Sequence, residues 1–227
     1  MCPIMSAHRH RSAGFGLLEA LLLTFVLGGV LVNGAFWLKA QTESRRVETQ
    51  SRLLRAAQQQ VDAYIARFDH LPCPATTTSD GVANCSGGNV KGLLPWRDMG
   101  IDPSGELAGA TRLGYLVYHS TAVDLTTVSD SFEPKNWDGS PQTLNHINLL
   151  DFCQNLTAAG NDTSTNGARV YNGATARPVA YAIAHPGAMD ADGDGSLFDG
   201  RNASSTAEME AQGSSSNSGN YDDQVII

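Results

Sequence analysis

The sequence is short of positive charge: 15 Lys and Arg stand against 23 Asp and Glu, a formal net charge of −8. No basic stripe is available to neutralise phosphates, which argues against a nucleic-acid-binding role for the bulk of the chain. Aromatics are scarce at 7%, while Gly, Ser, Asn and Thr are plentiful, so long loops are expected. Catalytic motifs are also missing. Ser, His and Asp all occur, but neither a nucleophile elbow nor an H-E-x-x-H element does. His119, His146 and His185 lack metal-ligand spacing and read as packing or surface residues, so nothing suggests an enzyme.

Charge is nearly absent from 15–38, where Glu19 is the one formally charged residue. A helix of that length is about 36 Å long, enough to cross a hydrocarbon core of about 30 Å with some tilt. A carboxylate in such a span costs roughly 2.5–3.5 kcal/mol near its centre on insertion scales, which makes Glu19 a functional candidate. The competing view is that it reaches water at the headgroups. His8, Arg9, His10 and Arg11 precede the run, so the positive-inside rule puts the N-terminus in the cytoplasm and the globular part outside. A cleaved secretory signal fits less well, because the run is too long for an h-region and contains Glu19.

Gly14-Phe15, the basic residues upstream, Glu19 as the fifth residue counted from Phe15 and the apolar run behind it go together. The combination resembles the class III signal of type IV pilins and type II secretion pseudopilins. The resemblance implies cleavage between Gly14 and Phe15 by a prepilin peptidase and N-methylation of the new amine of Phe15. It also implies that Glu19 of one subunit faces that amine on a neighbour. In a low-dielectric setting a close pair offsets part of the desolvation cost of both charges. A carboxylate in a first helical turn is also favoured by the helix dipole. Such a pair sets axial register more than it adds affinity. Removal of residues 1–14 takes Arg9 and Arg11 away and leaves the mature chain more acidic.

The helix is expected to continue beyond the apolar run. Residues 39–70 contain neither Pro nor Gly and are rich in good helix formers. Val47, Leu54, Val61, Ile65 and Phe68, joined by Leu53, Ala57 and Tyr64, recur at helical spacing as one apolar stripe. Gly28-Gly29 and Asn33-Gly34 are weak points that suit close helix–helix approach. The family often carries a proline about seven residues beyond the paired glycines; Ala35 and Phe36 stand here instead. Pro72 and Pro74 end the helix, since a residue before proline is pushed out of the α region. Leu71-Pro72-Cys73-Pro74-Ala75 and the later Gly92-Leu93-Leu94-Pro95-Trp96 also look like a pattern of pilin-like proteins.

Four cysteines occur, of which Cys2 lies in the leader. Cys73 and Cys85 are twelve apart in a Pro-, Thr- and Gly-rich stretch. A disulfide there would contribute on the order of 2–3 kcal/mol in an oxidising compartment. Cys153 is then a buried thiol in a helix predicted over 144–156; pairing of Cys153 with Cys73 or Cys85 is the alternative. Strands are expected at 113–119, 178–184 and 221–227, with loop over 121–143. Three or four antiparallel strands against the amphipathic half of the long helix make an α+β roll, the pilin-like architecture. The division expected is leader 1–14, transmembrane and assembly half 15–38, amphipathic half 39–70 and extracytoplasmic domain 71–227.

One acidic loop stands out. Asp190-Ala191-Asp192-Gly193-Asp194-Gly195 spaces three carboxylates as in the first half of an EF-hand calcium loop. Its twelfth position is Arg201 rather than Glu. Asp199, Asp222 or Asp223 could complete a structural Ca2+ site, and some pseudopilins hold calcium beside their C-terminal strands. The alternative is a solvated Asp/Gly turn. The sequence as a whole points to a minor pilin or pseudopilin. Its expected partners are other pilin or pseudopilin subunits, the prepilin peptidase, an inner-membrane assembly platform and the membrane itself. It would be anchored in a bacterial inner membrane with its C-terminal domain periplasmic, and then assembled into a pilus or secretion pseudopilus. A non-polymerising, membrane-anchored binding protein or adhesin is the competing function.

Overall fold

A computed structural model describes residues 16–227 except 78, 106, 143–146, 163–166, 189, 191–192 and 212–222, and of residue 19 only the backbone. Helix α1 runs uninterrupted over Leu17–Phe68, 52 residues. The chain divides into two compact units between Glu48 and Thr49.

In the first unit the large apolar side chains, among them Leu18, Phe25, Leu31, Phe36 and Trp37, are exposed. Polar residues within this run turn back on their own helix. Thr24 Oγ1 donates to the carbonyls of Ala20 (3.1 Å) and Leu21 (2.9 Å), and Asn33 Nδ2 donates to that of Gly29 (2.8 Å). Such internal satisfaction is what a hydrocarbon surrounding demands of a polar group. By length and composition this helix could cross a membrane. Among the described residues, a Cβ added at Gly28, Gly29 or Gly34 would meet nothing within 4 Å.

In the second unit Leu54, Ala57 and Val61 of α1 enter the core, with Leu53 and Ile65 partly buried beside it. The stripe is shorter than its periodicity predicts. Phe68 is 39% exposed, and Val47, in the first unit, is 40% exposed. Gln50 is buried instead, its Oε1 accepting from Gln224 Nε2 at 3.0 Å. Burial of a polar side chain is tolerable only with such a partner. The helix stops because Asp69 turns left-handed at φ 58°, its N–H reaching the Ile65 carbonyl at 2.9 Å. The prolines then hold the chain extended. Cys73 and Cys85 form a disulfide with Cα atoms 5.2 Å apart, and Cys153 is free.

A four-stranded antiparallel sheet has the order β1-β2-β5-β7, from β1 (Lys91–Leu93), β2 (Gly114–Val117), β5 (Tyr181–His185) and β7 (Gln224–Ile226). Tyr115 is paired with Ile183, and Ile183 with Ile226. Central strand β2 is buried along its whole length. A second sheet, β4-β3-β6, joins β3 (Arg169–Asn172), β4 (Thr175–Pro178) and β6 (Glu208–Glu210); β3 and β6 run parallel. The class is α+β, with the second half of α1 and the strands sharing one core.

Three sequence expectations are corrected. Pro178 ends β4 rather than opening the next strand, because β5 begins at Tyr181. The helix predicted over 144–156 is α2 at Leu149–Asn161, started by a capping box of Asn148 and Asp151. That start turns Phe152, Leu156 and Ala159 toward the core, a spacing of four and three residues. Leu150 and Cys153 therefore face out, and the thiol expected to be buried is exposed.

Candidate functional site

At the head of the long helix the sequence places its strongest motif. Gly14 and Phe15 lie outside the described residues, and so does the side chain of Glu19. The backbone nearby is already helical: the Ala20 N–H donates to the Gly16 carbonyl at 3.1 Å. The backbone of residue 19 thus belongs to the first turn of α1, which begins at Leu17.

The acidic loop can be followed atom by atom, except for Asp192 and Asp222, which lie outside the described residues. Asp190 Oδ1 accepts the amides of Gly193 (2.7 Å) and Asp194 (3.1 Å), and its Oδ2 that of Gly195 (2.9 Å). Asp194 Oδ1 accepts the amide of Ser196 at 2.7 Å. Gly193 and Gly195 hold φ of 75° and 87°, left-handed values at which glycine is the cheapest residue. The Asp190 carboxylate closes its own turn in the Asx manner.

Asp199 and Asp223 are brought together elsewhere, each 1% exposed. Asp223 Oδ1 accepts the Gly187 amide at 2.9 Å, while its Oδ2 accepts the Asp199 amide and Asn202 Nδ2, both at 3.0 Å. Burial, with the Asp199 charge adding to it, raises the Asp223 carboxyl despite those bonds. This residue fastens the end of β5, the 199–202 turn and the start of β7 to one another. Among the described residues no three His, Cys, Asp or Glu side chains stand close enough to share a metal ion. Asp190 and Asp223 accept backbone amides, while Asp192 and Asp222 lie outside the described residues, so the expected Ca2+ site rests on the sequence pattern alone.

One half-buried group and one buried group were not singled out by sequence. Lys91 Nζ donates to the carbonyls of Arg201 (2.6 Å) and Glu208 (2.7 Å), linking β1 to β6 across the two sheets. Burial lowers its ammonium to about 8, opposed by the carboxylates of Glu208 and Asp223. It stands on the wall of a cleft of about 310 Å3 with Phe198 and Asn202. No local pattern marks such a lysine, because both of its acceptors are backbone carbonyls more than a hundred residues away. Asp151 is the other. Its Oδ1 accepts the Ser131 (2.9 Å) and Phe132 (2.7 Å) amides and its Oδ2 the Asn148 amide (2.8 Å). The Asn-x-x-Asp spacing before an apolar run was the available signal.

Of the three histidines, His119 sits 3.1 Å from Asp124 through its Nδ1, and His146 lies outside the described residues. No family model matches the chain, and neither a curated protein nor a solved structure matches it.

Proposed function

We propose that the chain is a prepilin-like structural subunit, a minor pilin or pseudopilin. It is processed between Gly14 and Phe15 and assembled through its long helix into a type IV pilus or secretion pseudopilus. The observation that carries the reading is the continuous α1, Leu17–Phe68: its first part exposes apolar side chains to whatever surrounds it, and its second part is a core element. A helix with no intrachain use for its apolar length needs a membrane or other helices to cover it.

In this reading the subunit is anchored in a bacterial inner membrane with residues 71–227 outside the cytoplasm, where the Cys73–Cys85 bridge is stable. Prepilin peptidase and an assembly platform act on it there. Glu19 of one copy meets the Phe15 amine of a neighbour and sets the stagger between them.

Processing is the decisive test. Mass spectrometry of the chain isolated from its native envelope should find an N-terminal Phe15, methylated on its amine; an intact residue 1–14 segment would refute the reading and favour an anchored binding protein. Glu19→Ala should then be cleaved normally but enter filaments at least tenfold less well. Normal assembly of that variant would remove the register role from Glu19.

A further inference from the structure

We propose that the cleft beside Lys91 binds an extended peptide segment of another protein, which continues the hydrogen-bonded ladder on the outer edge of β1. Strand β1 ends its sheet, paired there with β2, and its three residues are only partly buried while β2 is buried throughout. That outer edge is begun but not completed. Leu93 and Ala75 exchange N–H and carbonyl bonds across it, both at 2.8 Å. Alternate residues of an antiparallel strand turn their N–H and C=O the same way, so Lys91 presents its pair on the edge that Leu93 offers to Ala75. The inner side agrees: the Val117 N–H of β2 reaches the Val90 carbonyl at 2.9 Å, one position out of step with Lys91. Among the described residues none takes up the N–H or C=O of Lys91. The segment that supplies Ala75 turns away before it reaches them, with the Ser79 N–H on the Thr76 carbonyl at 3.1 Å and Ala75 bridged to Ala83.

The 310 Å3 cleft opens at this unfinished edge. Thr76, Thr77 and Lys91 line it from the strand side, and Phe198 and Ser205 from the segment that faces them. Its size is at the low end for ligand pockets, enough for a few residues of extended chain. Gly114 lets the Phe198 ring lie on β2, since a Cβ there would stand 3.1 Å from its Cζ, and the ring gives the cleft an apolar surface. Lys91 adds a second main-chain contact. An ammonium has three protons, and two of these go to the carbonyls of Arg201 and Glu208. The third suits another carbonyl. A carboxylate is a poorer match, because Glu208 and Asp223 already place negative charge beside this ammonium. A peptide backbone supplies donors and acceptors at strand spacing, so main-chain bonds give the affinity while the narrow cleft selects short, uncharged side chains. The site lies within the compact unit that begins at Thr49 and rests on neither Glu19 nor leader cleavage, so it stands or falls apart from the processing test.

Peptide selection and hydrogen exchange on the detergent-solubilised full chain test it. A phage-displayed library of random dodecapeptides should yield binders with short, uncharged side chains. In the free chain the Lys91 amide should exchange at least tenfold faster than that of Leu93, and a synthetic copy of the strongest binder should remove the difference. Ser205→Trp, which fills the cleft from an exposed position, should weaken that peptide at least tenfold while leaving the melting temperature unchanged. Lys91→Pro, which an outward-facing edge position tolerates, should weaken it more than Lys91→Ala, which keeps the ladder N–H. A Lys91 amide already protected in the free chain, a library that yields no binder, or binders indifferent to Ser205→Trp would overturn the site.

Discussion

The two halves of α1 obey opposite rules in one continuous helix. Before Glu48 the large apolar side chains are exposed and the polar ones bond back to the helix; after Thr49 the apolar face is buried and a glutamine is buried with it. Backbone propensity cannot account for the difference, because both halves are helical. Where each half finds cover for its apolar surface can: strands supply it for the second half, while among the described residues none covers the first. The comparison makes the helix a shared element with one end committed to folding and the other to surroundings.

The sharpest way to break the comparison is to cut the same side chain from both halves. Leu54→Ala removes a residue 3% exposed and leaves a cavity in the core, at a cost of about 2–5 kcal/mol. Leu31→Ala removes one that is 70% exposed and should change stability by no more than about 0.5 kcal/mol. Chemical denaturation of the detergent-solubilised full chain, followed by near-UV dichroism of the C-terminal unit, checks both. Equal losses would mean that the first half is also part of the folded core.

Next in size is the staple that follows the helix. Replacing Cys73 and Cys85 by Ser frees the chain between two points twelve residues apart, and loss of the bridge should cost about 2–3 kcal/mol. The loop it closes also carries the bridges of Ala75 to Ala83 and to Leu93, so β1 should loosen first. Hydrogen exchange should show the amides of Ala75 and Leu93 losing protection before those of β5. Uniform loss across the sheets would make the disulfide a global tether instead of a local one.

How much of this was legible depended on how far each residue's partners lie along the chain. The long helix could be read because apolar continuity and the lack of Pro and Gly over 39–70 are local properties. Strands β2, β5 and β7 announced themselves by β-branched and aromatic residues, though each proved shorter than predicted. The hairpin of β3 and β4 was passed over although Asn172-Gly173, with Gly173 at φ 63°, is a strong turn signal beside Val170 and Tyr171. Gln50 could not be read as buried, because its partner Gln224 is 174 residues away. The acidic loop is ambiguous for a related reason: alternating Asp and Gly suits calcium ligation and Asx turns equally, and the amides of residues 193–195 show only that the Asp190 oxygens close the turn. The cap of α2 explains the misplaced Cys153, since a start at Leu149 instead of 144 moves the inward face round to Phe152 and Leu156.

The smallest expected effect concerns that cap. It sets a polar residue buried in the second unit against the self-satisfied Thr24 and Asn33 of the first. The amide of Phe132 first, with those of Asn148 and Ser131, holds the Asp151 carboxyl below its ordinary value, partly opposed by burial. A carboxyl whose folded value is depressed contributes stability that is fully present above its unfolded value near 3.9 and lost as pH falls through the folded one. Asp151→Asn keeps an oxygen for the Ser131 and Phe132 amides but faces the Asn148 N–H with an amide donor, a loss of about 1 kcal/mol at neutral pH. Melting temperatures measured from pH 7 down to pH 3 should therefore converge for wild type and variant at the acid end. A constant offset over that range would mean that Asp151 acts through its shape and not its charge. Thr24→Val in the first unit, which removes only a bond the helix makes to itself, should leave both curves where they are.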